Sequence, residues 1–217
     1  MYTPFSYWST TCVDCVEQDI VIDTQTWMKC NLSVSTYRDG TPIPQVTDTA
    51  EWANTTSGSW CYVNNDPATE ATYGKLYNGY AALGIHDAAS LTDPGQRKIL
   101  APIGFHVPAV EEFRTLTGSL GGTSVAGGPL KQRGLCTWES PNEGATNSTG
   151  FTALGAGFRT EDGTIFQSVG ALTYFWSTDI NTSNTRSRTL QLSKNHTSAS
   201  VINNGMNNGF SVRCLKD

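Results

Sequence analysis

Apolar residues along this chain reach a helical period only twice; elsewhere they come in short alternating runs. Tyr73, Leu76, Tyr77 and Tyr80 fall at helical spacing, and Gly84 supplies a stop, so the pattern predicts a helix over 69–83. Val110, Phe113, Leu116 and Leu120 line one apolar face over 108–120, with Glu111 and Glu112 at the positive N-terminal end and Gly121-Gly122 after it. This predicts a second helix. Two short strands, 18–23 and 26–32, flank a turn at Asp23-Thr24-Gln25 and carry the β-branched Ile20, Val21 and Ile22. Residues 33–68 are rich in Pro, Asp, Asn and Thr and read as ordered loop, and 85–99 as a surface insertion. Strand-like runs follow near 151–159, 173–178, 187–193, 198–203 and 209–215. Helices early and strands late predict an α+β fold. Trp27, Tyr77, Phe113, Phe151, Trp176 and Phe210 are expected to share one core.

Composition supports one loop-rich domain. The chain has 217 residues, of which 38% are hydrophobic and 15% charged, below typical globular values. Aromatics make up 10%, including six Trp, which argues against disorder. The main domain is placed at 18–217, behind an aromatic arm at 1–17.

Charge narrows the partners. Residues 1–100 carry eleven acids and five bases, and residues 101–217 carry eight acids and nine bases, for a net of -5. There is no basic stripe, so nucleic acid is not an expected partner. No run approaches the ~18 apolar residues of a membrane span, so no membrane insertion is expected. The first residues show neither a basic n-region nor an apolar h-region, so no classical signal peptide is predicted.

Six cysteines, Cys12, Cys15, Cys30, Cys61, Cys136 and Cys214, suggest disulfides in an oxidising setting. A protein assembled in a cytoplasm and later released, as virion proteins are, satisfies both that and the missing signal. Cys12-Val13-Asp14-Cys15 is read as a structural pair rather than zinc or redox, because no second ligand pair follows. His86, His106 and His196 lie in unrelated contexts, and His106 is expected to be a hydrogen-bonded structural residue. No GxSxG, Walker or HExxH motif occurs. Asn64-Asn65-Asp66, 142–147 and 179–184 are oxygen-rich loops. They suit Asx-turns more than Ca²⁺, so no cofactor is expected and calcium stays the alternative.

An ordered string of motifs is more informative than any one cluster. It runs Trp27-Met28-Lys29-Cys30-Asn31-Leu32, Tyr37-Arg38-Asp39-Gly40-Thr41-Pro42-Ile43, Trp60-Cys61-Tyr62, Tyr73-Gly74-Lys75-Leu76-Tyr77-Asn78 and Gly104-Phe105-His106-Val107-Pro108. It continues through Gly157-Phe158-Arg159 and Phe175-Trp176-Ser177-Thr178 to Gly209-Phe210-Ser211-Val212-Arg213-Cys214-Leu215. The string resembles the Fibrobacter succinogenes major paralogous domain, found in bacterial surface proteins, lipoproteins and phage structural proteins. The resemblance spans roughly residues 18–217. It implies a C-type-lectin-like fold with two helices, a twisted antiparallel sheet and long irregular loops. Its first and last strands would lie together, placing Ile20–Ile22 near Phe210–Cys214. Gly79 and Phe105 stand where the family usually has Trp, and Gly155 where it usually has Pro. Gly79 inside a helix would cost ~1 kcal/mol against Ala.

The resemblance implies a non-enzymatic module. The expected role is a virion tail-fibre, head-fibre or capsid-decoration subunit that shows a lectin-like domain to a host-surface glycan or protein. Alternatives are a bacterial cell-surface adhesion protein, a purely structural subunit, and an enzyme of the formylglycine-generating type. The enzyme needs two reactive cysteines in contact, here Cys136 and Cys214. Sugar-binding Glu-Pro-Asn and Trp-Asn-Asp motifs are absent. Ligand contact is expected from loops 140–148 and 179–186, with Glu139, Asn142, Asn147, Asp179, Asn181 and Asn184 as candidates. Tyr2, Phe5, Tyr7 and Trp8 are the expected anchors to other virion proteins or to a homo-oligomer.

Overall fold

The computed structural model describes residues 19–181 and 185–217. The arm residues Tyr2, Phe5, Tyr7 and Trp8, the Cys12 and Cys15 pair, and Asn184 lie outside the described residues. The chain opens on a hairpin of β1 (Asp19–Ile22) and β2 (Gln25–Met28), turned at Asp23 with φ 52°. The region read as loop holds α1 (Thr49–Asn54), whose Asp48 side chain accepts from Glu51 N, and β3 (Trp60–Cys61). The expected helix over 69–83 is not continuous. It divides into α2 (Glu70–Tyr73), β4 (Leu76–Tyr77) and α3 (Gly79–Ala82). Gly74, at φ 69°, ends α2, and a Cβ there would meet Leu32 O at 2.8 Å. Leu76 and Tyr77 then pair with Cys61 and Trp60, and Asn78 starts the next turn by accepting from Ala81 N at 2.9 Å. Strand pairing outweighs the helical spacing.

Gly79 opens α3 rather than sitting inside a longer helix, so the expected mid-helix cost does not arise. Its missing side chain has a packing reason, because a Cβ would meet Met206 Sδ at 2.8 Å. The insertion at 85–99 carries α4 (Ala88–Thr92), closed by an Asp87–Ser90 capping box. Next come β5 (Phe105–His106) and α5 (Val110–Ser119), the second helix as expected, then α6 (Gly127–Leu130). The chain ends with β6 (Phe158–Arg159), β7 (Phe166–Gln167), β8 (Leu172–Ile180), β9 (Arg186–Ser193), β10 (Ala199–Gly205) and β11 (Leu215–Lys216). The runs near 151–159 and 209–215 are mostly irregular, with isolated bridges such as Tyr77–Phe210 and Arg159–Gly209.

All pairings between named strands are antiparallel, and with few helices the architecture is compatible with α+β. The sheets run β1-β2-β11-β5, β10-β9-β8, β3-β4 and β6-β7. Both ends of the domain meet in the first sheet, but through β2, not through Ile20–Ile22. Leu215 pairs with Trp27, Met28 N donates to Cys214 O, and Leu32 N donates to Val212 O.

The six expected core aromatics are all buried, but they occupy two clusters. Tyr77, Trp176 and Phe210 belong to one, and Trp27, Phe113 and Phe151 to the other. β8 divides them: alternation sends Tyr174 and Trp176 to the first and Phe175 to the second. The single expected core is split because this strand is buried on both faces.

Two buried arginines, with no carboxylate partner among the described residues, tie loops to these clusters. Arg213 donates to Phe151 O (2.6 Å), Met28 O (3.2 Å) and Asn31 Oδ1 (2.7 Å), and its guanidinium lies 4.5 Å from the Phe151 ring. Arg159 donates to Val46 O, Thr47 O, Asp48 O and Gly163 O, and lies 4.4 Å from the Trp52 ring.

His106 is hydrogen-bonded, as its sequence context suggested. Its ring nitrogens sit 2.8 Å from Glu112 Oε1 and 2.8 Å from Asp217 Oδ1, joining the end of the chain to the first turn of α5. Partial burial draws its pKa down, but its hydrogen bonds to Asp217 and Glu112 outweigh this and leave it raised. A neutral imidazole donates from one nitrogen only, so deprotonation forfeits one of the two contacts. A raised folded-state pKa adds stability below the unfolded value of ~6.5, and that stability is lost as pH rises through the folded value. The wild type should therefore lose more thermal stability than His106→Gln between about pH 6 and pH 9. Parallel melting curves at fixed ionic strength check this; identical pH dependence would remove the ion pairs from the stability of the fold.

Candidate ligand-binding groove

β8 does not pair regularly with β9 at its far end. Trp176 faces Thr189 and Ile180 faces Ser187, so four steps on β8 oppose two on β9. This bulge is stitched by hydroxyls: Ser177 Oγ donates to Arg188 O (2.8 Å), and Ser187 Oγ donates to Asp179 O (2.8 Å) and Ser177 O (3.1 Å). Thr178 N also donates to Pro108 O, at 2.9 Å. The result aims Asp179 at α5, where its Oδ2 accepts from Val110 N at 2.5 Å. Its negative charge is thereby engaged by the helix's positive end.

Beyond the bulge an open groove of about 330 Å³ is lined by Asp179, Ile180, Asn181, Arg186, Arg188 and Asn203. Asn181 shapes its rim, with Oδ1 accepting from Thr185 N (3.0 Å) and Arg186 N (3.1 Å). Asn203 stands opposite Arg188 in the β9–β10 register. Leu190 and Leu192 share the Arg186 and Arg188 face of β9, so the apolar core face continues outward as a cationic edge. Both arginines are exposed, and among the described residues neither guanidinium makes a hydrogen bond or ion pair. Two positive charges about 7 Å apart on one strand face repel by roughly 0.6 kcal/mol in water. Among the described residues Asp179 forms no ion pair with either arginine, its Oδ2 accepting from Val110 N instead.

The two candidate loops are not brought together. Residues 179–181 lie at one end of β9 and the 140–148 loop near the other, on the order of 24 Å away along the strand. Glu139 Oε2 pairs with Lys194 Nζ at 2.7 Å, and Glu143 N donates to Lys194 O. Asn142, a predicted ligand contact, has a buried side chain that donates to Gln132 O (2.9 Å) and Gly134 O (2.8 Å). Asn147, at φ 53°, accepts from Thr152 N at 2.8 Å as a loop staple. Asp66 likewise accepts from Ala68 N, an Asx use of an oxygen-rich loop. Among the described residues no group of three or more His, Cys, Asp or Glu is placed to hold a metal. The sequence reading missed Arg186, Arg188 and Asn203. The available signal was the i, i+2 spacing of the arginines in line with Leu190 and Leu192.

Cys30 and Cys136 are each in a disulfide, whereas Cys61 and Cys214 are free and buried, so Cys136 and Cys214 do not form a reactive pair. Burial pushes both free thiols up to about 12, far from a reactive thiolate.

The fold is thus a domain of short antiparallel strands and few helices, with an open polar groove at one end of its three-stranded sheet. The Fibrobacter succinogenes major domain model matches residues 20–216, and the chain belongs to that family. No curated protein and no solved structure matches the chain.

Proposed function

We propose that this chain is a non-enzymatic recognition module of C-type-lectin-like architecture, carried on the exterior of a phage particle and shown to a host surface. The observation that carries the reading is the groove at Asp179, Asn181, Arg186, Arg188 and Asn203, where polar side chains converge on an open space at the end of an ordered sheet. Recognition groups on a rigid scaffold are the usual design of such modules. The disulfide-bonded Cys30 and Cys136 suit an oxidising exterior. Sheet pairing between the two ends of the domain is in keeping with the lectin-like architecture. In this reading residues 1–17 attach the domain to its particle.

The test is binding of the purified chain to intact host cells. The double variant Arg186→Ala, Arg188→Ala should bind at least ~10-fold more weakly, a loss of about 1.4 kcal/mol. Unchanged cell binding by the double variant would sink the groove as the recognition site. Deleting residues 1–11 should lower occupancy on purified particles, read by quantitative mass spectrometry, and undiminished occupancy would refute the attachment role.

A further inference from the structure

We infer that the groove at the end of the three-stranded sheet takes an anionic group, a carboxylate or sulfate as carried by acidic glycans; this rests on the recognition reading above. The chain as a whole is negative, at -5, yet this groove presents two cations and one acid. That acid, Asp179, accepts from Val110 N and, among the described residues, forms no ion pair with either arginine. Arg186 and Arg188 project from the same face of β9, and among the described residues their guanidiniums make no hydrogen bond or ion pair. A guanidinium offers a planar fork of donors that matches a carboxylate or sulfate with two parallel hydrogen bonds. Asn203, facing Arg188 across the β9–β10 pair, adds an amide for a neighbouring hydroxyl. The groove volume, about 330 Å³, lies at the small end of ligand sites, which suits one or two sugar rings rather than a long chain. Two other cations do not compete: Lys194, just past the opposite end of β9, is paired with Glu139, and Lys216 of β11 with Asp19.

The experiment measures binding of the full chain to immobilised dextran sulfate, polygalacturonate and unsubstituted dextran. Four variants are compared: Arg186→Ala, Arg188→Ala, Arg188→Lys and the distal control Lys194→Ala. The expected result is binding to at least one of the two polyanions and not to dextran, and the preferred polyanion distinguishes sulfate from carboxylate. Arg186→Ala and Arg188→Ala should each lose at least ~10-fold, Arg188→Lys should recover only part of that, and Lys194→Ala should match wild type. Full recovery with lysine would overturn the fork geometry. Equal binding to dextran, equal loss in Lys194→Ala, or no binding to either polyanion would overturn the inference. The last outcome, combined with groove-dependent binding to host cells, would leave the recognition reading standing without an anionic ligand.

Discussion

Arg213→Ala should lower unfolding free energy by about 3–5 kcal/mol, a large part of the 5–15 kcal/mol typical of a domain. Arg213 is wholly buried, and its guanidinium gathers three acceptors from distant parts of the chain: Phe151 O, Met28 O and Asn31 Oδ1. It also lies over Phe151 and beside Phe175 in the second core cluster. Burying the cation is costly in itself, and no carboxylate offsets that cost. Removing it relieves the desolvation but takes the donor from two buried acceptors, at about 1–3 kcal/mol each, and from the part-buried Met28 O, and opens a cavity beside two aromatic rings. The second effect wins because the acceptors stay where the surrounding fold holds them. Asn31 has a further amide contact, to Tyr73 O, so it does not turn to repair the loss. Arg213→Met, which fills the space without donating, should cost less than the alanine and clearly more than nothing. Equilibrium denaturation under non-reducing conditions measures both. A loss below about 1 kcal/mol for the alanine variant would mean that water replaces the guanidinium without penalty, contrary to this account.

How much of this was legible in the sequence follows the same division between local and distant causes. α5 was legible because Val110, Phe113 and Leu116 make a clean stripe, and glycines end it. β8, β9 and β10 were legible because their alternation is local and long enough to register. The break in 69–83 was not, because it depends on Leu76 and Tyr77 meeting Cys61 and Trp60, a contact that periodicity does not contain. Asn142 and Asn181 read alike as loop amides, yet one turns inward to hold a turn and the other shapes a rim. The arginine pair in the groove was visible as an i, i+2 spacing. What gives it meaning is the capture of Asp179 by Val110 N, and that contact spans 69 residues. The motif arginines Arg159 and Arg213 were likewise visible as members of a string, but their buried roles come from carbonyls more than a hundred positions away in the chain in some cases.

Arg159 gives the sharper test, because charge and geometry can be separated at this position. Its Nη1 donates to Val46 O at 2.6 Å, its Nη2 to Thr47 O at 2.9 Å and Asp48 O at 3.3 Å, and its Nε to Gly163 O at 3.2 Å. These carbonyls belong to the lead into α1 and to the turn between β6 and β7. One side chain therefore fixes two irregular segments that have few strand bonds of their own. The guanidinium plane also stacks on Trp52, which is anchored by its own Nε1 donating to Asn207 O at 2.6 Å. Arg159→Ala should cost about 3–5 kcal/mol, through orphaned carbonyls and the lost stacking surface. Arg159→Lys keeps the charge, but an ammonium is a compact point with three donors on a flexible stem and cannot span four acceptors in a plane. Lysine should therefore recover less than half of the alanine loss. Amide exchange should report where the damage falls, with faster exchange at Trp52 and Thr55, whose amides bond to Asp48 O and Glu51 O in α1, and little change in the β8–β9–β10 ladder. If Arg159→Lys were as stable as wild type, a buried positive charge alone would suffice, and the fork that joins the two segments would have no part in holding them.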